Sequence, residues 1–579
     1  MADYVEPGKP KPLFYAVVVL VVCGLVALGL YKADILFPKN KDAAAPVVMP
    51  LGDGKKGIEA PDDNNGLTAK KYDYVPEAKL PPVKGVSAYD KMQNDTVRFA
   101  LNVWAGWAPI IYANEGFKAK KEWTGSDGKK FKVELVLIDE PVAMRDAYAS
   151  GRVHIGWATV DMLPLLIDEL QKDSRTMPRV FQQIDWSNGG DGIVARDNIK
   201  SISDLRGKQI VLAQNSPSQY FILNALINGG VQPTEVNFKY TGDAFEAAKA
   251  YQVNKEFAAC VSWAPDIYNL EKIKGNKMLV TTHDANHLIA DVWFSRADFA
   301  KDHPAVIEGL VRGILDATEE LDAQDKQAAA AKWMADGYSI PAADAQGMLG
   351  DAHWTNYAEN AEFFLNSNNP TNFQRTWDNA YYLYKNVRRV SGKVDFDQVA
   401  DFSVIEKLGK EEKYARSKNK YITSFVPKTV ASIKAEANEI LTKTVVVRFF
   451  PNSSDLTHKI TRKLPDGKTA EELYDPQADF TIDEISKMSG QFGACRIVIE
   501  GHADSSMRGQ VSERDVEELS KRRAEAVRQT LLAKYSTIPP NQISTQGMGW
   551  SRPADPANPM DQARNRRVEI KVYPLEQTP

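Results

Sequence analysis

Residues 501–532 read GHADSSMRGQVSERDVEELSKRRAEAVRQTLL, and the elements on either side take their places from it. The preceding run Ile497–Gly501, IVIEG, is short and apolar and predicts a strand that ends in a turn, with His502 and Asp504 at its mouth. A charged helix is expected over 516–535, where Leu519, Val527 and Leu531 are apolar at helical spacing. Further on, residues 568–573 (VEIKVY) alternate like a strand with one buried face. Asp504, Arg523 and Arg566 then fall at loops and element ends, where opposed charges can converge on a charged ligand.

Four motifs follow one another in order: Gly501-His502-Ala503-Asp504, Leu519–Ala524 (LSKRRA), Gly547-Met548-Gly549 with Pro553, and Asn565–Ile570 (NRRVEI). Together with an upstream strand expected over Val445–Thr457, they resemble the OmpA-like peptidoglycan-binding domain, an α+β fold, here spanning 441–579. The resemblance implies a site for the diaminopimelate of cell-wall stem peptides. Asp504 would hold its amino group and Arg523 a carboxylate, with His502, Asn565 and Arg566 beside them. A bidentate guanidinium suits a carboxylate. The segment between Asp504 and Leu519 is longer than the family's and lacks its asparagine. No further ligands cluster near His502 and Asp504, so no metal is expected there.

The whole chain has 579 residues, more than a single domain needs. A formal net charge of −4 gives no polyelectrolyte signature, which excludes nucleic acid as an expected partner. The three cysteines, Cys23, Cys260 and Cys495, lie far apart and form neither a disulfide framework nor a metal motif. Leu13–Tyr31 is a charge-free apolar run of nineteen residues, close to the ~20 that a helix needs to cross a bilayer. Signal-peptide apolar regions are shorter, and the residues before Cys23 do not suit a lipid-bearing cysteine. The run is therefore read as an uncleaved transmembrane helix (13–31) after a cytoplasmic tail (1–12). Residues 32–95, rich in Lys, Asp, Pro and Gly, read as a flexible periplasmic linker. The span contains no acidic residue of the kind an ion-driven motor would use.

From Thr96 strands alternate with helices, as in a multidomain α/β chain with a partly parallel sheet. The turn Trp104–Pro109 (WAGWAP), Asp185–Ala195 (DWSNGGDGIVA), Asp204–Ile210 (DLRGKQI), Val261–Asp266 (VSWAPD) and Asp291–Arg296 (DVWFSR) come in order. They resemble periplasmic substrate-binding proteins of the nitrate/sulfonate/taurine type. This implies a two-lobed type II periplasmic-binding-protein fold over 96–408, closing on a small solute. Residues 409–440 read as a charged surface linker and a helix.

Cleft candidates are residues at strand ends and helix starts. Ser216 and Ser218, beside Pro217, offer hydroxyls and a helix N-terminus suited to an anion. Ser187 and Asn188 add donors. Trp104, Trp107 and Trp263 fall at the same turns, and facing Asp191 or Asp291 they would suit a cation instead. The resemblance favours an anion of the phosphate, sulfonate or nitrate type. No GxSxG, HExxH or phosphate-loop motif proposes catalysis, and neither a cofactor nor a metal is expected. The expected protein is a single-pass inner-membrane protein, mostly periplasmic, that binds a solute for sensing or for a permease and anchors to peptidoglycan. The alternatives are a structural adaptor with a ligand-free binding fold and a stator-like motor subunit.

Overall fold

The computed structural model describes residues 57–61, 73, 77, 79–463 and 468–575. The expected membrane span Leu13–Tyr31 and Cys23 lie outside them; among the described residues no helix is long and apolar enough to cross a membrane.

The first lobe is built from β1 (Thr96–Leu101), β2 (Glu122–Thr124), β3 (Lys130–Leu137), β4 (Ile155–Thr159) and β5 (Pro178–Ser187). The chain then crosses into β6 (Asp191–Arg196), β7 (Gln209–Ala213), β8 (Asn237–Thr241), β9 (Phe257–Trp263) and β10 (Asn276–Thr281), and returns as β11 (Ala290–Arg296) and β12 (Ala352–Trp354). The sheets run β12-β5-β11-β4-β1-β3-β2 and β10-β6-β9-β7-β8. In each, a parallel core (β1 with β3 and β4; β7 with β8 and β9) meets antiparallel strands contributed by the crossings. β4 and β11 are buried along their whole length, which is why their middles, IGWA (155–158) and VWF (292–294), read as apolar runs rather than alternating ones.

Hydroxyls stitch the two crossings together. Ser187 Oγ lies 2.8 Å from Thr282 Oγ1, and the N–H groups of Gly189 and Asp191 donate to Thr282 Oγ1 at 3.0 and 3.1 Å. The helical region after β11 packs back on the first lobe, as when Tyr338 donates its hydroxyl to the carbonyl of Trp104 at 2.8 Å.

The described parts of two expected linkers pack on the folded domains. In the 32–95 linker, Glu77 accepts from Gln219 Nε2 at 2.7 Å and from the Tyr240 hydroxyl. Leu80 is in the core, and the carbonyl of Pro81 accepts from the buried Arg145 at 2.8 Å. In the 409–440 segment, Tyr421 stacks on His353 with ring centroids 3.9 Å apart, and Phe425 is buried under Arg496. Aromatic and carbonyl groups spaced among the charges hold both segments down.

The C-terminal sheet contains β13 (Leu441–Val445), followed outside it by the hairpin β14 (Lys459–Lys463) and β15 (Thr469–Leu473), then β16 (Cys495–His502), β17 (Ile543–Gly549) and β18 (Val568–Pro574). Its order is β13-β18-β16-β17, with β16 and β17 parallel. The first strand is shorter and earlier than the expected Val445–Thr457, since Val446 onward leaves the sheet to form the site described below. Helix Glu513–Lys534, capped by Ser512, lies so close to the sheet that a methyl on Gly501 would be 2.1 Å from the Ser520 carbonyl oxygen. Glycine is required there by the close approach of backbones.

Candidate functional site

The interlobe cleft holds a cavity of about 200 Å³. On the first-lobe side, the turn after β1 presents Trp104, whose Nε1 donates to Asp185 Oδ2 at 3.1 Å. Gly106 makes this turn possible, because a methyl there would fall 1.5 Å from the same carboxylate oxygen. β4 brings Trp157, and Asp291 on β11 stands opposite Asp185 on β5. On the second-lobe side, Asp191 opens β6 opposite Trp263 at the end of β9. Ser187 Oγ donates to Asp191 Oδ2 at 2.7 Å, whereas Asp191 Oδ1 is buried without a partner. The rim carries Asp139, Glu140 and Asp243; Glu140 and Asp243 cap the helices that follow them.

Asp139, Asp185, Asp191 and Asp291, and Asp161 just past β4, are held away from their ordinary ionisation. Burial pushes Asp161 and Asp191 up to about 7, and burial with neighbouring acids holds Asp185 and Asp291 well above the usual carboxylate range. Burial raises Asp139 as well, with Asp243 of the other lobe adding to the effect. Among the described residues, no lysine or arginine lines the cavity.

Of the residues expected here, Trp104, Asp191, Ser216, Trp263 and Asp291 line the cavity. The other four do not. Trp107 is fully buried in the first-lobe core, edge-on to Phe99, with its Nε1 on Asn102 Oδ1 at 2.7 Å. Ser187 stands behind Asp191 and positions it. Asn188 faces a separate depression, where its Oδ1 accepts from the Tyr421 hydroxyl at 3.0 Å. Ser218 is buried among the packed side chains of helix Pro217–Asn228. Ser216 lines the cavity, but its hydroxyl donates to the Ala213 carbonyl at 2.9 Å. The rim acids Asp139, Glu140 and Asp243 were missed by sequence reasoning. The available signal was an acidic residue directly after a strand and before a helix, in IDEP and TGDAF.

A second site lies in the C-terminal domain. Arg566 Nε contacts Asp504 Oδ2 at 2.5 Å, and Arg523 Nε donates to the Ser453 carbonyl at 2.9 Å. The remaining Arg523 donors form a two-pronged pair with Glu59, Nη1 to Oε1 at 2.5 Å and Nη2 to Oε2 at 2.6 Å. Asp504, Arg523 and Arg566 thus converge as expected. His502 lines the same small cavity as Arg523 and Arg566, but its ring turns inward. Its ring is buried with Glu500 and Glu569, 3.8 and 3.6 Å away, because alternation along β16 turns residues 500 and 502 away from the helix that Gly501 faces. Among the described residues this is the one acid–histidine group compact enough for a metal, but Lys434, Arg567 and Lys571 already pair its carboxylates. Asn565 is also buried, its amide spent on the carbonyls of Asn558 and Asp561 at 3.0 and 2.8 Å. It braces a loop.

Two α/β lobes around a cleft define a solute-binding protein fold, here joined to a second, α+β domain. Residues 131–328 match the family model described as NMT1/THI5 like, and residues 448–567 match the OmpA family. The taurine-binding periplasmic protein of Escherichia coli (strain K12) is 28% identical over 275 residues, 46% of this chain and 80% of that protein. Among solved structures, the periplasmic aliphatic sulphonate binding protein of Escherichia coli aligns at 18% identity and a TM-score of 0.41, covering 53% of this chain and 97% of that one. A putative periplasmic sulfonate-binding protein of Methylobacillus flagellatus aligns at 18% identity and 0.42, covering 57% and 100%. These matches support the fusion of a binding-protein domain, similar to taurine/sulfonate-binding proteins, with a C-terminal OmpA-like domain.

Proposed function

We propose that this is a periplasmic solute-binding protein fixed at both ends, to the inner membrane through Leu13–Tyr31 and to peptidoglycan through its C-terminal domain. The observation that carries the solute-binding role is the open cavity lined by Trp104, Asp191, Trp263 and Asp291. A binding fold retained only as a spacer gains nothing from buried carboxyls with unmet hydrogen-bonding capacity, which cost stability unless a ligand completes them. Arg523 supports the wall-binding role, since it already holds a carboxylate in the two-pronged geometry a stem-peptide carboxylate requires. Held near the membrane, the solute domain would sense its ligand or pass it to a permease.

Native mass spectrometry of the full chain in detergent tests the first role: a co-purifying small molecule is expected, displaced by excess competing solute. Sedimentation with purified peptidoglycan tests the second. Asp504→Ala and Arg523→Ala are expected to abolish co-sedimentation, and full retention by both variants would refute the assignment.

A further inference from the structure

We propose that the cleft takes a small organic cation, an amine or quaternary ammonium group, held between its carboxylates and its tryptophan faces. This rests on reading the cleft as a solute site. Its wall and rim carry Asp139, Glu140, Asp191, Asp243 and Asp291 and, among the described residues, no basic side chain. Asp191 lines the cavity and is 3% exposed, and its Oδ1 is buried with no partner. Trp104, Trp157 and Trp263 supply aromatic faces of the kind that attract cations.

The positive feature on offer to an anion is the N-terminus of helix Pro217–Asn228. The Ser216 hydroxyl there is spent on a carbonyl, and five acidic side chains, among them the rim residues Glu140 and Asp243, stand around it. An anion would enter against their field; a cation would be drawn by it and would restore the ionised form of Asp191. A bare metal ion fits less well, because among the described residues the cleft acids are not gathered within reach of one ion.

Calorimetric titration of the full chain in detergent with choline, ethanolamine, putrescine, sulfate, nitrate and methanesulfonate decides the matter. At least one of the three cations is expected to bind, with affinity falling tenfold or more in Asp191→Asn. Asp243→Asn keeps its helix cap and sits at the rim, so it should fold normally and lose about threefold. Anions binding in preference to the cations would overturn the cation class and leave the solute-binding reading standing. No binding of any probe, with no co-purifying molecule, would overturn both.

An independent observation carries a second inference: the segment Ile58–Pro61 is an internal ligand of the wall-binding pocket, which peptidoglycan must displace. Besides the Glu59–Arg523 pair, Arg566 Nη2 donates to the Ala60 carbonyl at 2.9 Å and Gln562 Nε2 to the Pro61 carbonyl at 2.9 Å. The N–H groups of Ile58 and Glu59 donate to Asn452 Oδ1 at 2.6 and 3.0 Å. Ile58 packs against Ala503, Val516 and Trp550. The segment therefore holds the arginine assigned to the wall peptide's carboxylate, and the two cannot use it together. Attachment to the wall then becomes a competition that sets 58–61 free.

Glu59→Ala should bind purified sacculi at least tenfold more tightly than the unaltered chain, and Arg523→Ala should remove binding in either background. Hydrogen exchange gives a second readout: the amides of Ile58 and Glu59 should be protected in the free chain and lose protection when sacculi are added. Equal sacculus binding with and without Glu59, or unprotected amides in the free chain, would overturn the internal ligand. Absence of wall binding in both chains would overturn the wall-binding reading and the competition with it.

Discussion

His287 donates its backbone N–H to the carbonyl of Gln491 at 3.2 Å, so the loop that follows the second crossing of the binding domain rests on the C-terminal domain. Gly493 lies against the same histidine, where a methyl would fall 2.6 Å from His287 Nδ1. Nearby, Lys443 of β13 reaches Asn228 of the binding domain at 3.3 Å, and Lys487 reaches Asn379 at 3.0 Å. Gly493→Leu should wedge the contact open. The expected cost is about 1–3 kcal/mol, as for overpacking elsewhere, with a larger radius of gyration in solution scattering. An unchanged melting temperature and radius would show that this contact does not hold the domains together.

Trp104 and Trp107 lie three residues apart and should respond differently to alanine. Trp107→Ala removes a fully buried indole and its bond to Asn102, which should destabilise the fold by about 3–5 kcal/mol. Trp104→Ala should cost less stability, because its ring faces the cavity, but more ligand affinity. Thermal melts paired with calorimetry separate the two effects; equal affinity losses would contradict the placement.

Asp161 and Asp191 are raised to about 7 by burial. An acid whose folded value lies above its unfolded one, near 4, contributes stability that is fully present below about pH 4 and is lost as pH rises through about 7. These two groups should therefore make the ligand-free melting temperature fall from pH 5 to pH 8. Asp191→Asn removes one of them and should flatten the fall. A melting curve insensitive to pH in both proteins would contradict the burial of these carboxyls.

Gly501→Ala tests the close contact of helix and sheet in the C-terminal domain. The added methyl meets the Ser520 backbone 2.1 Å away, and backbone cannot give way as a flexible side chain can. The helix that carries Arg523 must shift, so peptidoglycan co-sedimentation should drop at least tenfold while the chain stays folded by circular dichroism. Retained binding would place the site elsewhere.

Much of the architecture was legible along the chain. The helix around Arg523 was expected over 516–535 and runs from Glu513 to Lys534, because apolar spacing and a Ser cap act locally. Five of nine cleft candidates line the cavity; the failures have local causes. Trp107 and Ser218 share turns with residues that line the cavity, and an offset of two or three residues along a turn or helix points a side chain into the core instead. The rim acids Asp139 and Asp243 come from different lobes, so no stretch of sequence shows that they face one cavity.

Periodicity, motif order and the turns at strand ends were sufficient to identify two joined domains and the convergence of Asp504, Arg523 and Arg566, since each depends on short-range geometry or on ordered motifs. Tertiary structure alone decided the acidic lining of the cleft and the pairing of Arg523 with Glu59. The cleft's charge is a sum over acids from separate strands with no basic side chain among them, and Glu59 meets Arg523 across 464 positions of sequence. Both follow from folding distant segments together, where desolvation and charge act through space rather than along the chain.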